Sequence, residues 1–419
     1  MSNVAKIIEK AAKLYMMKFI EEKRLISERQ FGFRAGKSTQ DAISYLVESI
    51  KDELDAGNKP IVTYMDVSKA FDSIPHNLLL KTFYDVGFEP GFVSWLHSYL
   101  ADRQQRVKIE SSLSDPRSFR YSIPQGTVLG PLCFIIYINS LLELSGVEGD
   151  LISFADDTAL ITSTSTWAET ISKTKENMKK IGQWFSEHSL QMNIKKSNFM
   201  AFSLRSTNVP IIGSMICHQR NCHEKGGCAC SSINQVAQTK YLGVVIDQCL
   251  TWNAHVRSLN SRLRKMIPIC LGVRNILSLG SKRMFYFALM GYAGTSVLEP
   301  LYITQKCLVK ILLRKSSRHS TIELFRCSQV LSLKAIACKV ALIYVFRDIQ
   351  LGKIDYVVNP TRTASRQFLR IPFRRTSSAQ NSYRYHGMNL YNALPADYKQ
   401  CSQMSQFKSM VKRLFLASI

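Results

Sequence analysis

The sequence has no long hydrophobic run, no secretory leader and very few acidic residues in its last two fifths. Its longest apolar stretches, such as residues 132–138, fall far short of the ~20 residues that a membrane-spanning helix needs. A charged, amphipathic segment follows Met1, so we expect no signal peptide. Eleven cysteines without a secretion signal favour a reducing compartment.

Acidic residues are scarce only in the C-terminal part. Residues 251–419 contain 27 Lys and Arg against five Asp and Glu, whereas residues 1–250 contain 28 against 26. Nearly all of the net charge of +24 therefore lies after residue 250. Such asymmetry predicts a polyanionic partner. An anionic membrane is the alternative, but the basic residues are not confined to one amphipathic helix.

Two adjacent aspartates, Asp156 and Asp157, stand between the apolar runs LISF and TALI. Those runs predict two strands with the aspartates at the turn of a hairpin. Neighbouring carboxylates repel each other, and a hard divalent cation relieves that repulsion; an exposed acidic turn is the alternative. A second apolar run, residues 61–65, ends at Asp66. One sheet can bring Asp66 beside Asp156, in an arrangement that suits phosphoryl transfer with two metal ions.

Five motifs follow one another in a recognisable order: YMDVSKAFD, SIPQGTVLGPLCFIIYIN, FADD, LQMNIKKSNFM and YLGVVID. With QFGFRAGKST at residues 30–39, they resemble the reverse transcriptases of non-LTR, LINE-type retrotransposons of the Jockey-like kind, over nearly the whole chain. The resemblance implies an α+β right-hand polymerase fold with fingers, a mixed α/β palm and a helical thumb. The family motif RPISLL is missing upstream, so we expect the chain to begin inside the fingers.

The expected domains follow from the resemblance and from the charge distribution. They are partial fingers at 1–60, a palm with remaining finger elements at 61–250, a basic helical thumb at 251–346 and a basic C-terminal segment at 347–419.

The resemblance implies a catalytic set of four residues. Asp66, Asp156 and Asp157 match the family's catalytic carboxylates, and Lys196 matches a lysine proposed to protonate the departing pyrophosphate. Val67 is expected to join the three aspartates in holding two Mg²⁺ ions, for which Mn²⁺ can substitute. A surface lysine before a strand is the alternative interpretation of Lys196.

A second set is expected to contact the incoming dNTP or the template. Phe71 matches the aromatic residue that lies under the sugar and excludes a 2′-hydroxyl; without the motif, core packing would be the preferred interpretation. Gln125 and Gly126 lie in the loop beside the nucleotide and template, where an ordinary turn is the alternative. Arg34 can meet phosphate or template, and Val67 belongs to the nucleotide site as well.

A cluster of cysteines lies between the fourth and fifth motifs. Cys217, Cys222, Cys228 and Cys230, with two neighbouring histidines, are potential zinc ligands. Their spacing is not a C-x2-C repeat, so a plain insertion is the alternative.

Three local predictions bear on the fold. Residues 103–109 and 118–123 are expected to pair as strands, and residues 362–375, rich in Arg, Ser and Thr, to form a linker with little strand. An N-terminal helix over residues 5–26 is expected to pack through one face. That face consists of Ile7, Ile8, Ala11, Leu14, Tyr15, Lys18 and Phe19.

The expected function is RNA-directed DNA synthesis in target-primed reverse transcription, in which a primer 3′-hydroxyl attacks the α-phosphate of a dNTP. The expected partners are an RNA template, a DNA primer or nicked target DNA, and dNTPs, without a membrane, in a cytoplasmic ribonucleoprotein and in the nucleus. Two alternatives remain: an inactive nucleic-acid-binding remnant of such an element, and a relative of group II intron maturases. The sequence shows no RNase H or endonuclease pattern.

Overall fold

The chain forms two compact units, Met1–Gly243 and Val244–Ile419. The four cysteines proposed as zinc ligands lie outside the described residues, as does Gln125. The computed structural model describes residues 3–118, 120–124, 126–216, 231–278, 280–281, 299–354, 356–359, 366–380 and 382–417.

The first unit combines long helices with short strands. Its helices are α1 (Asn3–Lys23), α2 (Thr39–Ala56), α3 (His76–Asp85), α4 (Pro90–Leu100), α5 (Gly130–Ile138) and α6 (Trp167–Glu187). Its strands are β1 (Ile61–Met65), β2 (Gln104–Gln105), β3 (Lys108–Ile109), β4 (Ser112–Leu113), β5 (Arg117–Ser118), β6 (Asp150–Phe154), β7 (Asp157–Thr162), β8 (Asn198–Ala201), β9 (Ser214–Ile216), β10 (Ser232–Gln235) and β11 (Gln238–Tyr241).

Six of these strands form a central sheet in the order β6-β7-β1-β8-β10-β9. Strand β1 is antiparallel to both β7 and β8, and all five of its residues are buried. A strand covered on both faces favours a nearly continuous apolar run over strict alternation, and IVTYM fits that requirement. Strands β8 and β10 run parallel, so the sheet contains both parallel and antiparallel pairs.

Helices α5 and α6 supply much of the core of the first unit. Every side chain from Leu132 to Ile138 is buried, because α5 is apolar on all sides and lies inside the core. Helix α6 buries one face, which includes Ile181 and Trp184. It begins where the Thr166 hydroxyl accepts a hydrogen bond from the amide of Glu169, which satisfies one of the free N–H groups of its first turn.

Helix α1 buries a different face from the predicted one. Ile7 and Leu14 are 67% and 71% exposed, whereas Met16 and Ile20 are buried. Glu9 is also buried, and two hydrogen bonds hold its carboxylate inward. A buried carboxylate without partners is costly, so these bonds favour the observed face. The apolar spacing located the helix correctly, but the predicted core face was wrong.

An exposed ribbon joins α4 to α5. Strand β2 pairs with β5 and β3 with β4, and each strand is only two residues long and fully exposed. The predicted strands 103–109 and 118–123 were therefore too long. Positive φ angles at Glu110 (52°) and Ser122 (88°) interrupt regular strand geometry, and no sheet face is buried here to extend the pairing.

Residues 241–247 do not form one continuous strand but belong to two strand segments. Strand β11 ends at Tyr241, and β12 (Val244–Asp247) begins after Leu242 and Gly243. Both intervening residues have positive φ, 47° and 86°, so the chain turns there.

The second unit is mostly helical. Its packing uses two apolar clusters, one formed mainly by the helices within residues 253–328 and one by the second half of the helix Leu333–Gln350 with the C-terminal helices. The helix Leu333–Gln350 crosses residues 346 and 347, where the sequence placed a domain boundary. After β12, its elements are α7 (Asn253–Lys265), α8 (Ile267–Val273), α9 (Glu299–Leu312), α10 (Thr321–Ser328), α11 (Leu333–Gln350), β13 (Tyr356–Asn359), β14 (Arg366–Leu369), α12 (Ser377–Gln380), α13 (Tyr383–Asn392), α14 (Ala396–Lys399) and α15 (Met404–Ala417).

A strand lies within the predicted linker 362–375. Strand β14 pairs antiparallel with β13, and Leu369 at its end is buried. The Asn392 side chain accepts a hydrogen bond from the Leu369 amide at 2.8 Å and donates one to the Leu369 carbonyl at 3.0 Å. These long-range contacts stabilise a strand that local composition disfavours, so the prediction of a linker was wrong at this point.

Among the described helices, none is by itself both long and apolar enough to cross a membrane. One bent pair, α10 with α11, meets the criterion jointly, by length and composition only.

Candidate active site

Asp66 and Asp157 lie beside each other at the end of two paired strands. Strand β1 ends at Met65, which pairs with Thr158 of β7, so the next residue on one strand faces the preceding residue on the other. Asp156 belongs to the hairpin turn that joins β6 to β7, closed by the pairing of Phe154 with Asp157. The predicted hairpin is confirmed. The sequence predicted Asp66 beside Asp156, whereas the strand pairing sets Asp66 opposite Asp157. Asp156 is still close enough to Asp66 to interact with it electrostatically.

Burial and mutual repulsion raise the pKa of the two adjacent carboxyl groups of the hairpin. Burial first, and then the charges of Asp156 and Asp66, raise the pKa of Asp157 to about 6. Burial also raises the pKa of Asp156, with a further contribution from Asp66. Such clustered charge favours a bound cation.

The described residues contain no ready-made metal site with three or more His, Cys, Asp or Glu ligands. The three aspartates therefore do not form a closed ligand set on their own. Mg²⁺ is usually held by one or two carboxylates together with substrate phosphates and water. An open group of oxygen ligands therefore suits Mg²⁺ better than it suits a metal ion whose ligands must all come from the protein.

Lys196 lies next to Asp66, with 3.6 Å between its Nζ and Asp66 Oδ2. The backbone around both residues is tied together. The Asp66 amide donates to the Ser197 hydroxyl at 3.1 Å, and the Asn193 amide donates to the Asp66 carbonyl at 2.7 Å. The Lys196 side chain is itself 68% exposed, so the loop is held while the ammonium group stays accessible.

Phe71 rests on the core of the first unit. Its ring stacks on Phe134 of α5, with 4.6 Å between ring centroids, and meets the edge of Phe33 at 6.4 Å. Phe71 is only partly buried. Val67 between Asp66 and Phe71 is buried and bridges to Met192. One face of the Phe71 ring is therefore packed against the core, and part of the ring stays accessible.

Gly126 is exposed and has a φ of 73°. A residue of α1 stabilises the loop that contains Gly126: the Val128 amide donates a hydrogen bond to Glu9 Oε2 at 2.6 Å. The other carboxylate oxygen of Glu9 accepts a hydrogen bond from the Tyr99 hydroxyl at 2.8 Å. Glu9 was not predicted from the sequence, because an acidic residue on an amphipathic helix is usually solvated.

Arg34 forms hydrogen bonds with residues close to it in the sequence. Its guanidinium donates to the Ser27 carbonyl at 2.7 Å and to Glu28 Oε1 at 3.0 Å. Lys37 binds the other carboxylate oxygen at 2.8 Å. Hydrogen bonds from Lys37 and then Arg34 lower the pKa of Glu28 to about 2. The structure does not place Arg34 against the three aspartates, and its predicted contact with phosphate or template stays a prediction.

Gln30 is the second residue that sequence analysis missed. It is fully buried, and its Oε1 accepts hydrogen bonds from the amides of Ala155, at 3.0 Å, and Gly32, at 2.8 Å. Ala155 directly precedes the paired aspartates. The signal was a polar residue at the start of the glycine-containing stretch QFGFR, from which only Arg34 had been selected.

Residues 1–246 match the family described as "Reverse transcriptase (RNA-dependent DNA polymerase)". The match covers more than half of the chain, and the chain belongs to this family. The α+β architecture with a mixed sheet agrees with the right-hand polymerase fold expected for it.

The chain is similar to polymerases of non-LTR transposons, which confirms the narrower resemblance. It is 26% identical over 295 residues to "Probable RNA-directed DNA polymerase from transposon BS" of Drosophila melanogaster, covering 68% of this chain and 31% of the relative. It is 23% identical over 300 residues to "RNA-directed DNA polymerase from mobile element jockey" of the same species, covering 69% and 31%. The chain thus matches about a third of the length of these relatives.

Solved structures of telomerase also align with the chain. A Candida albicans telomerase with a TWJ fragment of telomeric RNA aligns over 97% of this chain and 58% of that one, with a TM-score of 0.42 and 11% identity.

We expect Asp157→Asn to stabilise the protein without divalent metal. In the folded protein the Asp157 pKa is about 6, against ~3.9 in the unfolded chain. Stability therefore falls as the pH rises from about 4 to about 6 and stays lower above that. Allowing for solvent screening, the loss is about 1 kcal/mol. The substitution removes it and should raise the thermal midpoint in EDTA at pH 7.5 by ~2 °C.

Asp115→Asn is the matched control, because it makes the same chemical change in an exposed loop. Its thermal midpoint should stay at the wild-type value. An Asp157→Asn midpoint at or below that of the control would show that neither burial nor repulsion destabilises the ionised Asp157 carboxylate appreciably.

Proposed function

We propose that the chain is an RNA-directed DNA polymerase of a non-LTR retrotransposon that transfers nucleotides from dNTPs to a primer 3′-hydroxyl. The observation that carries the proposal is the convergence of Asp66, Asp156 and Asp157 at one end of paired strands. Membership of the reverse transcriptase family supports the same chemistry. Use in target-primed reverse transcription, on an RNA template with a nicked DNA end as primer, belongs to the proposal.

The three aspartates, with Val67 beside Asp66, are the residues we assign to hold Mg²⁺. Mg²⁺ there would activate the primer hydroxyl and neutralise charge on the leaving pyrophosphate. The raised pKa of Asp157, due first to burial and then to Asp156 and Asp66, supports the assignment, because repelling carboxylates favour a cation. Mn²⁺ has the same preference for oxygen ligands and can substitute.

The reaction forms one P–O bond and breaks another. The primer 3′-oxygen attacks the α-phosphate and loses its proton to water, and the bond between the α-phosphate and its bridging oxygen to the β-phosphate breaks. We assign Lys196 to donate a proton to the departing pyrophosphate. Its exposed ammonium group and its loose ion pair with Asp66, at 3.6 Å, leave it able to reach that leaving group.

The nucleotide and template would be positioned by Phe71, Gln125, Gly126 and Arg34. Phe71 has the best structural support among the described members, because Phe134 holds its ring from below. A fixed ring that meets the sugar would exclude a 2′-hydroxyl by collision. The Gly126 loop offers exposed backbone without a side chain, which allows a base or phosphate to approach closely.

Asp66→Asn or Asp156→Asn should abolish primer extension, with a fall of at least about 10³-fold, because each removes a negative charge that would hold the metal ions. Primer extension on an RNA template with Mg²⁺ measures this effect. Binding of an RNA–DNA hybrid, measured in parallel, should remain within about twofold of wild type, since the contacts to the duplex stay intact.

Asp115→Asn serves again as the matched control and should extend the primer at the wild-type rate. Normal extension by folded Asp156→Asn would remove that residue from the catalytic set.

Phe71→Val should weaken discrimination against ribonucleotides by about tenfold or more, because the smaller side chain leaves room for a 2′-hydroxyl. The measurement compares the incorporation rates of matched rNTP and dNTP pairs. Phe92→Val makes the same change at a partly buried ring in the aromatic stack of α4. That control should discriminate like wild type, and equal ratios for the two variants would mean that Phe71 serves core packing only.

A further inference from the structure

A short extended segment, residues 29–31, places Gln30 beside the turn that contains the paired aspartates. The Ser153 amide donates to the Arg29 carbonyl at 3.0 Å, and the Phe31 amide donates to the Ser153 carbonyl at 2.8 Å. Gln30 thus bridges to Ser153 in parallel on the free side of β6. Its side chain can then reach the residues that follow β6.

The peptide groups of Ala155 have two side-chain partners. The Gln30 carbonyl oxygen accepts from the Ala155 amide, and the Ser153 hydroxyl donates to the Ala155 carbonyl at 2.6 Å. Ala155 is buried and has a φ of 60°, a conformation that few non-glycine residues adopt. A buried amide without an acceptor is unfavourable, so the two side chains select this turn against its alternatives.

Gly32 allows the same segment to lie directly against the turn. A Cβ atom at this position would stand 2.3 Å from the Ala155 nitrogen and 2.9 Å from its Cα. The Gly32 amide is also the second donor to Gln30 Oε1. Backbone contact and a shared acceptor thus lock the segment and the turn together.

We propose that Gln30 is a positioning residue for the catalytic aspartates. Its buried carbonyl oxygen fixes the Ala155 peptide and so the direction in which Asp156 and Asp157 leave the turn. The inference rests on the proposed polymerase function for its catalytic consequence only. The Gln30 amide nitrogen has no partner among the described residues, so the acceptor oxygen alone carries the role.

Gln30→Met removes that acceptor and keeps the length of the side chain. The matched control is Asn177→Leu, at the opposite end of the same hairpin. Asn177 is also a buried amide; it accepts from the Glu148 amide at 3.0 Å and donates to the Glu148 carbonyl and to Thr162. Both variants remove a buried amide from the hairpin, but only one of them lies next to the aspartates.

The first measurement is amide hydrogen exchange in the full chain without metal or nucleic acid. Gln30→Met should speed exchange at Ala155 and Gly32 by about tenfold, the loss of roughly one hydrogen bond. Asn177→Leu should speed exchange at Glu148 and leave Ala155 as in wild type. Unchanged exchange at Ala155 in Gln30→Met would overturn the proposal, whether or not the protein polymerises.

The second measurement is primer extension with saturating hybrid. Gln30→Met should lower kcat by about 10- to 100-fold, the usual effect of displacing catalytic groups by up to an ångström. Its KM for dNTP and its affinity for hybrid should change less than twofold. Equal losses in Gln30→Met and Asn177→Leu, at matched thermal stability, would show that Gln30 only stabilises the fold.

If Gln30→Met fails to fold, Gln30→Asn replaces it, because it keeps the amide but withdraws it by about 1.5 Å. Both measurements then apply with the same expected results. A wild-type chain that folds and does not polymerise would refute the proposed function, while hydrogen exchange would still decide whether Gln30 holds the turn.

Discussion

Electrostatic repulsion among three carboxylates is the constraint on which the site depends. Pairing of β1 with β7 forces Asp66 against Asp157, and the hairpin adds Asp156. Burial and that repulsion raise the pKa of Asp157 to about 6, so the metal-free protein carries an unfavourable arrangement at neutral pH. A protein keeps such an arrangement where the charge has a use, and neutralising the phosphates of a reacting nucleotide through a cation is the use proposed here.

The surrounding chain holds this arrangement through backbone hydrogen bonds to buried side chains. Gln30 fixes the turn before Asp156, Ser197 fixes the amide of Asp66, and Glu9 fixes the loop that follows Gly126. Each bond supplies a partner that a buried loop otherwise lacks and so favours the observed loop conformation.

The sequence predicted the positions of the three carboxylates, because each aspartate directly follows or precedes a short apolar run that is typical of a strand. It did not predict which face of α1 is buried, because Ile7 and Ile8 have the spacing expected of a core face and are nevertheless exposed. The buried face is the one that carries Glu9, and one partner of Glu9, the Val128 amide, lies 119 residues away in the sequence. Gln30 was overlooked for the same reason. Local composition also concealed β14, whose pairing with β13 and contact with Asn392 are long-range.

The most direct measurement is extension of a DNA primer on an RNA template by the wild-type chain, with dNTPs and increasing Mg²⁺. The account predicts DNA products that reach the end of the template, require Mg²⁺ or Mn²⁺ and are absent in EDTA. A folded chain that binds the RNA–DNA hybrid and extends no primer at any Mg²⁺ or Mn²⁺ concentration would contradict it, and would favour a nucleic-acid-binding protein that has kept the carboxylates without their chemistry.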